Sequence, residues 1–304
     1  MKEIVFRLLF LIPFVGMSQH YVDLVSVKYG KTNGMLLKDA NQKADAISLD
    51  SYATLPLVVN DKVTVITGFN FETIGLQFFP NLDKIQFYNT LLKAGVRIKY
   101  SPKWSSTLLI LPKLASDYQN INKEQLYFGG LAIFKKTKKD SSNYSIGLYS
   151  STEAYGVYVS PIIGYYYQHP DKQFELKFYL PNELDFNYCL NTKYSLGLDY
   201  NGHGRSFTTQ KYNLSTTYIQ DNTLEFGTYF QNKTCNDQLL IRLKLGYSSN
   251  NYEVYSSNDK LALQVAAFKF GDKRTQLNAG FQNSLFLKIE AIFRLNLSKY
   301  QKKQ

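Results

Sequence analysis

Only two cysteines, three histidines and eight prolines occur among the 304 residues. The histidines, cysteines and acidic residues nowhere fall into metal-ligand spacing, so the sequence gives no argument for a metal centre. No glycine-rich loop follows a strand and opens a helix, so no phosphate-binding loop is legible. No cofactor is expected. Cys189 and Cys235 could form one disulfide in an oxidising compartment, and they are equally consistent with none. Long apolar runs are missing as well. Beyond the first residues the longest are of the kind Leu108–Leu111, far short of the ~20 residues that a lipid-spanning helix needs. That excludes a helical membrane protein, because such helices are apolar along their whole length. It leaves a β-barrel open, since there only alternate residues meet lipid. Linkers, low-complexity tracts and composition breaks are absent too, which points to one domain.

What is abundant is aromatic: 25 tyrosines and 21 phenylalanines, residues that favour strands over helices. The N-terminus reads as an export signal. Lys2 and Arg7 give a positive start, partly offset by Glu3, and residues 8–16 form a short apolar core. Gly16 and Ser18 supply the small residues that a signal peptidase requires, which predicts cleavage between Ser18 and Gln19. The expected division is a signal peptide over 1–18 and a single domain over 19–304. A transmembrane anchor is the competing reading, but the apolar core is about half the length it needs. The net charge of +11 fits nucleic acid, anionic lipid or a basic pore. Export ranks the last two first, and no nucleic-acid partner is expected.

The dominant period along the chain is 2. In residues 284–297, Leu285, Leu287, Ile289, Ala291, Phe293, Leu295 and Leu297 share one face, with Lys288, Glu290, Arg294 and Asn296 on the other. Residues 92–100 set Leu92, Ala94, Val96, Ile98 and Tyr100 against Lys93, Arg97 and Lys99. Residues 173–180, 193–200, 223–231 and 238–247 repeat the scheme. A half-wet strand produces this pattern and a helix does not. Asn60-Asp61, residues 169–172 and Asp221-Asn222 read as tight turns, while 116–124 and 247–260 read as longer loops. Two β architectures compete. A soluble sandwich also alternates, but its strands average about 5–6 residues, and several apolar faces here persist longer. Tyr100, Tyr149, Tyr167, Tyr200 and Tyr247 stand at strand ends, where a barrel places its aromatic girdles. The expected fold is therefore all-β, an antiparallel transmembrane β-barrel of about 12 strands, within a range of roughly 10–16. The tally depends on whether 21–29 and 183–188 count as strands.

Three segments carry a family resemblance: "KWSSTLLILPKLASDY" (103–118), "YVSPIIGYYYQHPDKQFELKFYLPNELDFNYCLNTKYSLGLDYNG" (158–202) and "YNLS" (212–215). Together they resemble an uncharacterised group of outer-membrane β-barrel proteins of Bacteroidota, classed as a domain of unknown function. The shared pattern is a Trp-led strand running to a Ser-Asp corner, a Pro-Gly-Tyr strand, a strand closing on Leu-Pro, and a Gly-rich strand before a Tyr-led one. The resemblance implies a fold and a compartment, the bacterial outer membrane, and no activity. One departure stands out. Many such barrels end on an aromatic residue read by the insertion machinery, whereas Tyr300 here is followed by four more residues.

Candidate chemistry is sparse. His20 sits at the expected mature N-terminus and His169 in a turn, where solvation is the ordinary state. His203, in "NGHGRS", has Asp199 and Ser206 nearby in sequence, the residue types of a membrane lipid hydrolase. The same segment reads equally well as a glycine-loosened loop, and the expectation is no enzyme. "KKTKK" (135–139) is a basic strand end, read as a solvated turn or as a contact for lipopolysaccharide phosphates. The inward faces hold Lys93, Arg97, Lys99, Lys177, Lys193, Arg242, Lys244, Lys288 and Arg294 against Glu72, Glu175, Asp199, Glu225 and Glu290. Rings of Lys and Arg would favour anions in a pore. Opposite charges could instead pair across a filled interior. Outward placement is disfavoured, since Arg or Lys at mid-bilayer costs roughly 2–4 kcal/mol. The expectations are a passive pore for small, anionic solutes or a structural barrel, with a loop-borne adhesion protein as the alternative. The expected partners are outer-membrane lipid, lipopolysaccharide and the barrel-insertion machinery.

Overall fold

A computed structural model describes residues 21–38, 43–79, 83–119, 121–139, 141–210, 216–235 and 237–296. The expected signal peptide, the resemblance segment 212–215 and Tyr300 lie outside these residues. Nineteen strands are formed. They are β1 (Tyr21–Leu36), β2 (Lys43–Val58), β3 (Val63–Leu76), β4 (Ile85–Lys99), β5 (Trp104–Ser116), β6 (Leu126–Lys139), β7 (Ser142–Glu153), β8 (Gly156–Gln168), β9 (Phe174–Leu180) and β10 (Glu183–Cys189). After these come β11 (Tyr194–Gly202), β12 (Arg205–Thr209), β13 (Thr217–Asp221), β14 (Leu224–Thr234), β15 (Leu239–Ser249), β16 (Tyr252–Ser256), β17 (Leu261–Val265), β18 (Phe268–Phe270) and β19 (Ser284–Asn296).

Fourteen of them close an antiparallel barrel. β1 to β11 pair in succession, β11 then pairs with β14, β14 with β15, β15 with β19, and β19 with β1. Closure removes every free edge, the main hazard of a long sheet. The count of 14 corrects the expectation of about 12. Both doubtful segments are strands. β10 is short, with Glu183, Asp185 and Asn187 inward and apolar residues between. β1 loses clean alternation because its register slips between Asp23 and Val25.

The outer face carries the apolar half of each strand. Leu92, Leu108, Ile110, Ile146, Leu198, Leu243, Leu245, Leu287 and Ile289 are all exposed there, as in a barrel that meets lipid. Aromatic pairs mark both rims of this belt, such as Tyr144–Tyr165 at 4.9 Å and Tyr194–Phe230 at 5.4 Å on one, and Tyr200–Phe226 at 5.0 Å on the other. Two expected lipid-facing residues are elsewhere. Tyr149 is on the inner face against Tyr158, and Leu295 is buried with Leu24 beside the β1 irregularity.

The two ends differ. At one, short turns such as 59–62 (with Asn60-Asp61), 169–173 and 190–193 join the strands, and there the first barrel strand begins and the last ends. At the other lie the longer connections. Two of these fold inward through residues 203–210, 216–223 and 250–283 and build a plug. In it β13 pairs with both β12 and β16, while β17 pairs with β18 and with the start of β8. Asp221-Asn222 is thus the end of a plug strand and not a hairpin turn, and 247–260 contains β16. An aromatic core joins plug and wall. Phe207, Tyr218, Ile219, Tyr252, Val254 and Phe281 of the plug pack on Met35, Ile74, Leu76, Phe78, Ile85 and Phe87 of the barrel and its loops.

Candidate functional site

The inner face of the barrel concentrates charge, and its two walls are built differently. On the wall formed by β9–β11, β14, β15, β19 and β1, nearly every charge meets its opposite. Strand register brings Arg242 opposite Glu290 and Lys244 opposite Lys288 on β15 and β19. Lys244 Nζ lies 2.7 Å from Asp199 Oδ2 and 2.8 Å from Glu290 Oε2. Arg242 Nη1 donates to Asp185 Oδ2 at 2.8 Å, and its plane lies 4.3 Å from the Tyr229 ring centre. Lys288 Nζ donates to both oxygens of Glu225, at 2.6 and 2.5 Å. Arg294 forms a two-pronged pair with Asp23, at 2.6 and 3.0 Å. Lys177 reaches Glu183 at 2.7 Å. Tyr21 Oη donates to Glu175 Oε1, tying β1 to β9 across the lumen.

The ladder continues into the plug. Arg205 of β12 spans Glu72 Oε2 (2.5 Å) and Asp221 Oδ2 (2.9 Å). Ser206 donates to Glu153 Oε2 at 2.7 Å, and Glu153 also takes Lys113. Charge-assisted bonds of this kind are strong when buried, and costly when one partner is lost.

Two glycines let this wall close-pack. A methyl on Gly197 would stand 2.1 Å from Tyr229 Cζ, and one on Gly246 would stand 2.4 Å from Phe286 Cζ. Each ring lies over the bare backbone of its cross-strand partner.

The opposite wall, β3–β7, is sparser. Lys93, Arg97 and Lys135 point inward among Leu109, Leu131 and Ile133, all of them half-buried. Among the described residues, none of these three cations forms a salt bridge. Lys93 instead donates to Thr54 Oγ1 at 3.1 Å and lies 5.3 Å from the centre of the Tyr52 ring. A cavity of about 900 Å³ opens at the short-turn end, lined mainly by the paired wall, with Asp23, Lys28, Lys177, Asp185 and Arg294, and by Tyr52 and Asn70 of β2 and β3.

The basic residues singled out in the sequence therefore divide. Lys177, Arg242, Lys244, Lys288 and Arg294 are on the paired wall. Lys93, Arg97 and Lys99 are on the sparse one, where Lys99 has interactions of its own. Lys193 is in an exposed turn and not on a strand face. Lys135, read as part of a turn, is instead an inward residue of β6, and only Lys138 and Lys139 of that run are at the strand end. Asp23, Lys113, Glu153, Asp185, Arg205 and Asp221 were missed. Lys113 is in phase with Ser105, Thr107 and Leu109, so alternation could have found it. Arg205 and Asp221 are in the plug, where no period marks them.

Asp199, His203 and Ser206 do not form a catalytic set. Asp199 holds Lys244, Ser206 holds Glu153, and His203 Nε2 lies 3.9 Å from Glu225 Oε2. His169 caps its turn, where its Nδ1 accepts from the Asp171 amide at 3.4 Å. Cys189 and Cys235 are both free thiols. Among the described residues no cluster of His, Cys, Asp and Glu could hold a metal.

No curated protein matches the chain. Several solved barrels resemble it in overall shape. The NanC porin is 10% identical, with a TM-score of 0.38, over 89% of this chain and 100% of that one. The COG4313 outer membrane channel from Pseudomonas putida F1 is 8% identical, with a TM-score of 0.44, over 93% and 100%. A deletion mutant of the TodX monoaromatic hydrocarbon channel is 8% identical, with a TM-score of 0.36, over 90% and 88%. One family model matches residues 80–290, and the chain accordingly belongs to the family described as Domain of unknown function (DUF6268).

Proposed function

We propose that this chain is an outer-membrane channel, plugged at its loop end, that passes small anionic solutes along the β3–β7 wall. The observation that carries this reading is the contrast between the walls. Lys93, Arg97 and Lys135 face inward and half-exposed with no carboxylate in salt-bridge contact, whereas the facing wall has its charges paired. Unpaired cations in a lumen lower the barrier for anions, while paired ones act as struts. At the loop end the obstruction comes from residues 203–210, 216–223 and 250–283, while below it wall side chains such as Tyr21 and Glu175 meet across the lumen. A mouth filled by loop segments is an arrangement that a gated pore can use.

The compartment follows from the same physics. An exported barrel with an apolar belt and rims of aromatic residues is built for the outer membrane, with short turns in the periplasm and longer loops outside. Its belt meets lipid, its loop-end rim meets lipopolysaccharide, and insertion requires the barrel-assembly machinery. The Lys138–Lys139 end of the basic run then faces the inner leaflet. The alternative of an adhesion protein acting through its loops has less support, because the two longest loops fold into the barrel mouth.

Planar-bilayer recording tests this reading. Ser248 and Ser284 are cross-strand partners, so a short turn can replace residues 251–282 without lengthening the barrel. The intact protein is expected to conduct rarely and weakly, and the deletion variant steadily. Equal conductance of the two, with both shown to be folded by heat-modifiable gel mobility, would overturn the gate.

A further inference from the structure

The barrel wall has a notch. β9 and β10 are short, so their turn at Pro181–Asn182 sits well below the rim. β8 pairs with β9 only from Ile163 to Gln168. Its first residues, Gly156–Val159, pair instead with β17 of the plug, in parallel. β17 and β18 thus stand where a longer β9 would run. Among the described residues no β-pairing joins them to the tops of β11, β14 and β15. A cavity of about 840 Å³ opens in that gap, within the roughly 300–1,000 Å³ usual for small-molecule sites.

The lining of this cavity joins two environments. Tyr200, Leu224 and Tyr247 come from the lipid-facing register of their strands, whereas Tyr158, His203 and Phe281 come from the interior. The cavity therefore connects the membrane side of the wall with the inside of the mouth. Among the described residues its lining includes Lys38, Lys269, His203 and several amides, and no carboxylate. Two acids touch its basic lining or lie behind it: Glu253 pairs with Lys269, and Glu225 pairs with Lys288 and lies 3.9 Å from His203. Asn222 lines the cavity, and its buried Nδ2 has no acceptor among the described residues. Beside the cavity, the β18 hairpin presents Phe268 and Phe270 outward. At 71% exposure, Phe268 is the most exposed large apolar side chain on the described molecule. A soluble loop gains nothing from such a residue, while a loop resting on acyl chains does.

The geometry points to a side entrance at the height of the outer leaflet that takes a single-chain anionic amphiphile of the fatty-acid class. The carboxylate lies toward His203, Asn222 and Lys269, and the chain lies along Tyr200, Leu224 and Tyr247 at the lipid boundary. This inference stands apart from the pore reading, because the cavity is outside the β3–β7 wall.

The test uses the full-length protein in lipid nanodiscs with a diazirine-bearing dodecanoate, and maps the photoadducts by mass spectrometry. Adducts are expected at 200–204, 222–224 and 266–269. Dodecanoate should compete them away and dodecyltrimethylammonium should not. Ala267→Trp, which fills the cavity, should lower labelling about tenfold, one decade in binding constant. Adducts spread evenly around the apolar belt, or equal competition by the cationic amphiphile, would overturn the proposal. Should Ala267→Trp fail to fold by gel mobility, the competition pair on the natural protein decides alone.

Discussion

The paired wall and the sparse wall of this barrel use the same residue types to opposite ends. On β15 and β19, Arg242, Lys244 and Lys288 are buried and each contacts a carboxylate. On β4 and β6, Lys93, Arg97 and Lys135 are half-exposed and meet none in a salt bridge. The difference lies in the side chains that neighbouring strands set around each cation. β9–β11 offer Glu183, Asp185 and Asp199, whereas β5 and β7 offer Thr107, Ser105 and Ser145 at the same heights. A charge in a barrel therefore says little until its neighbours on other strands are known. The paired wall ties its strands together by buried ion pairs, and on the sparse wall Lys93, Arg97 and Lys135 form no salt bridge among the described residues.

The contrast can be broken most strongly at Lys288. Lys288→Met leaves Glu225 buried without its close ion-pair partner, and should cost about 3–5 kcal/mol, the usual penalty for stranding one member of a buried pair. Denaturant titration of the folded band reads this, and Lys288→Met with Glu225→Gln should recover most of the loss. Arg97→Met on the other wall should stay within about 0.5 kcal/mol, the range of sites without a buried partner. A cost there as large as that of Lys288→Met would erase the distinction.

The glycines sharpen the comparison at a smaller scale. Gly197→Ala forces a methyl into the Tyr229 ring and should destabilise by about 1–3 kcal/mol, the range for overpacking. Gly130→Ala meets nothing closer than 3.8 Å and should leave the unfolding midpoint unchanged.

The smallest effect concerns the plug. Arg274 holds Asp272 by side-chain hydrogen bonds and draws its carboxyl from 3.8 down to about 2. The same guanidinium donates to Gln220 Oε1 at 2.8 Å and lies 4.1 Å from the centre of the Tyr255 ring. Because the folded-state pKa is depressed, the stabilisation is fully present above pH ~4 and fades as pH falls toward ~2. Proteolysis of the 250–283 loop should therefore quicken between those pH values, and Asp272→Asn should flatten that dependence.

Much of this was legible from alternation alone. Residues 92–100 and 284–293 keep strict phase, because one face must meet lipid and the other must not. The barrel class and the inward position of Lys288 follow from that phase. The strand count did not follow, since β10 is short and β1 slips register at Asp23. The sorting of cations into paired and unpaired was also hidden, because it depends on strands such as β10 and β15 that are distant in sequence. The plug left no trace at all. Its strands are three to five residues long, too short for a period to register, and Asp221-Asn222 has the composition of a turn.

The central claim is that anions pass along the wall bearing Arg97 and Lys135. Its most direct test is the reversal potential of the channel lacking residues 251–282 in a potassium chloride gradient, with and without Arg97→Glu and Lys135→Glu together. The account predicts anion preference in the first and its loss or reversal in the second. An unchanged reversal potential after both substitutions would contradict it.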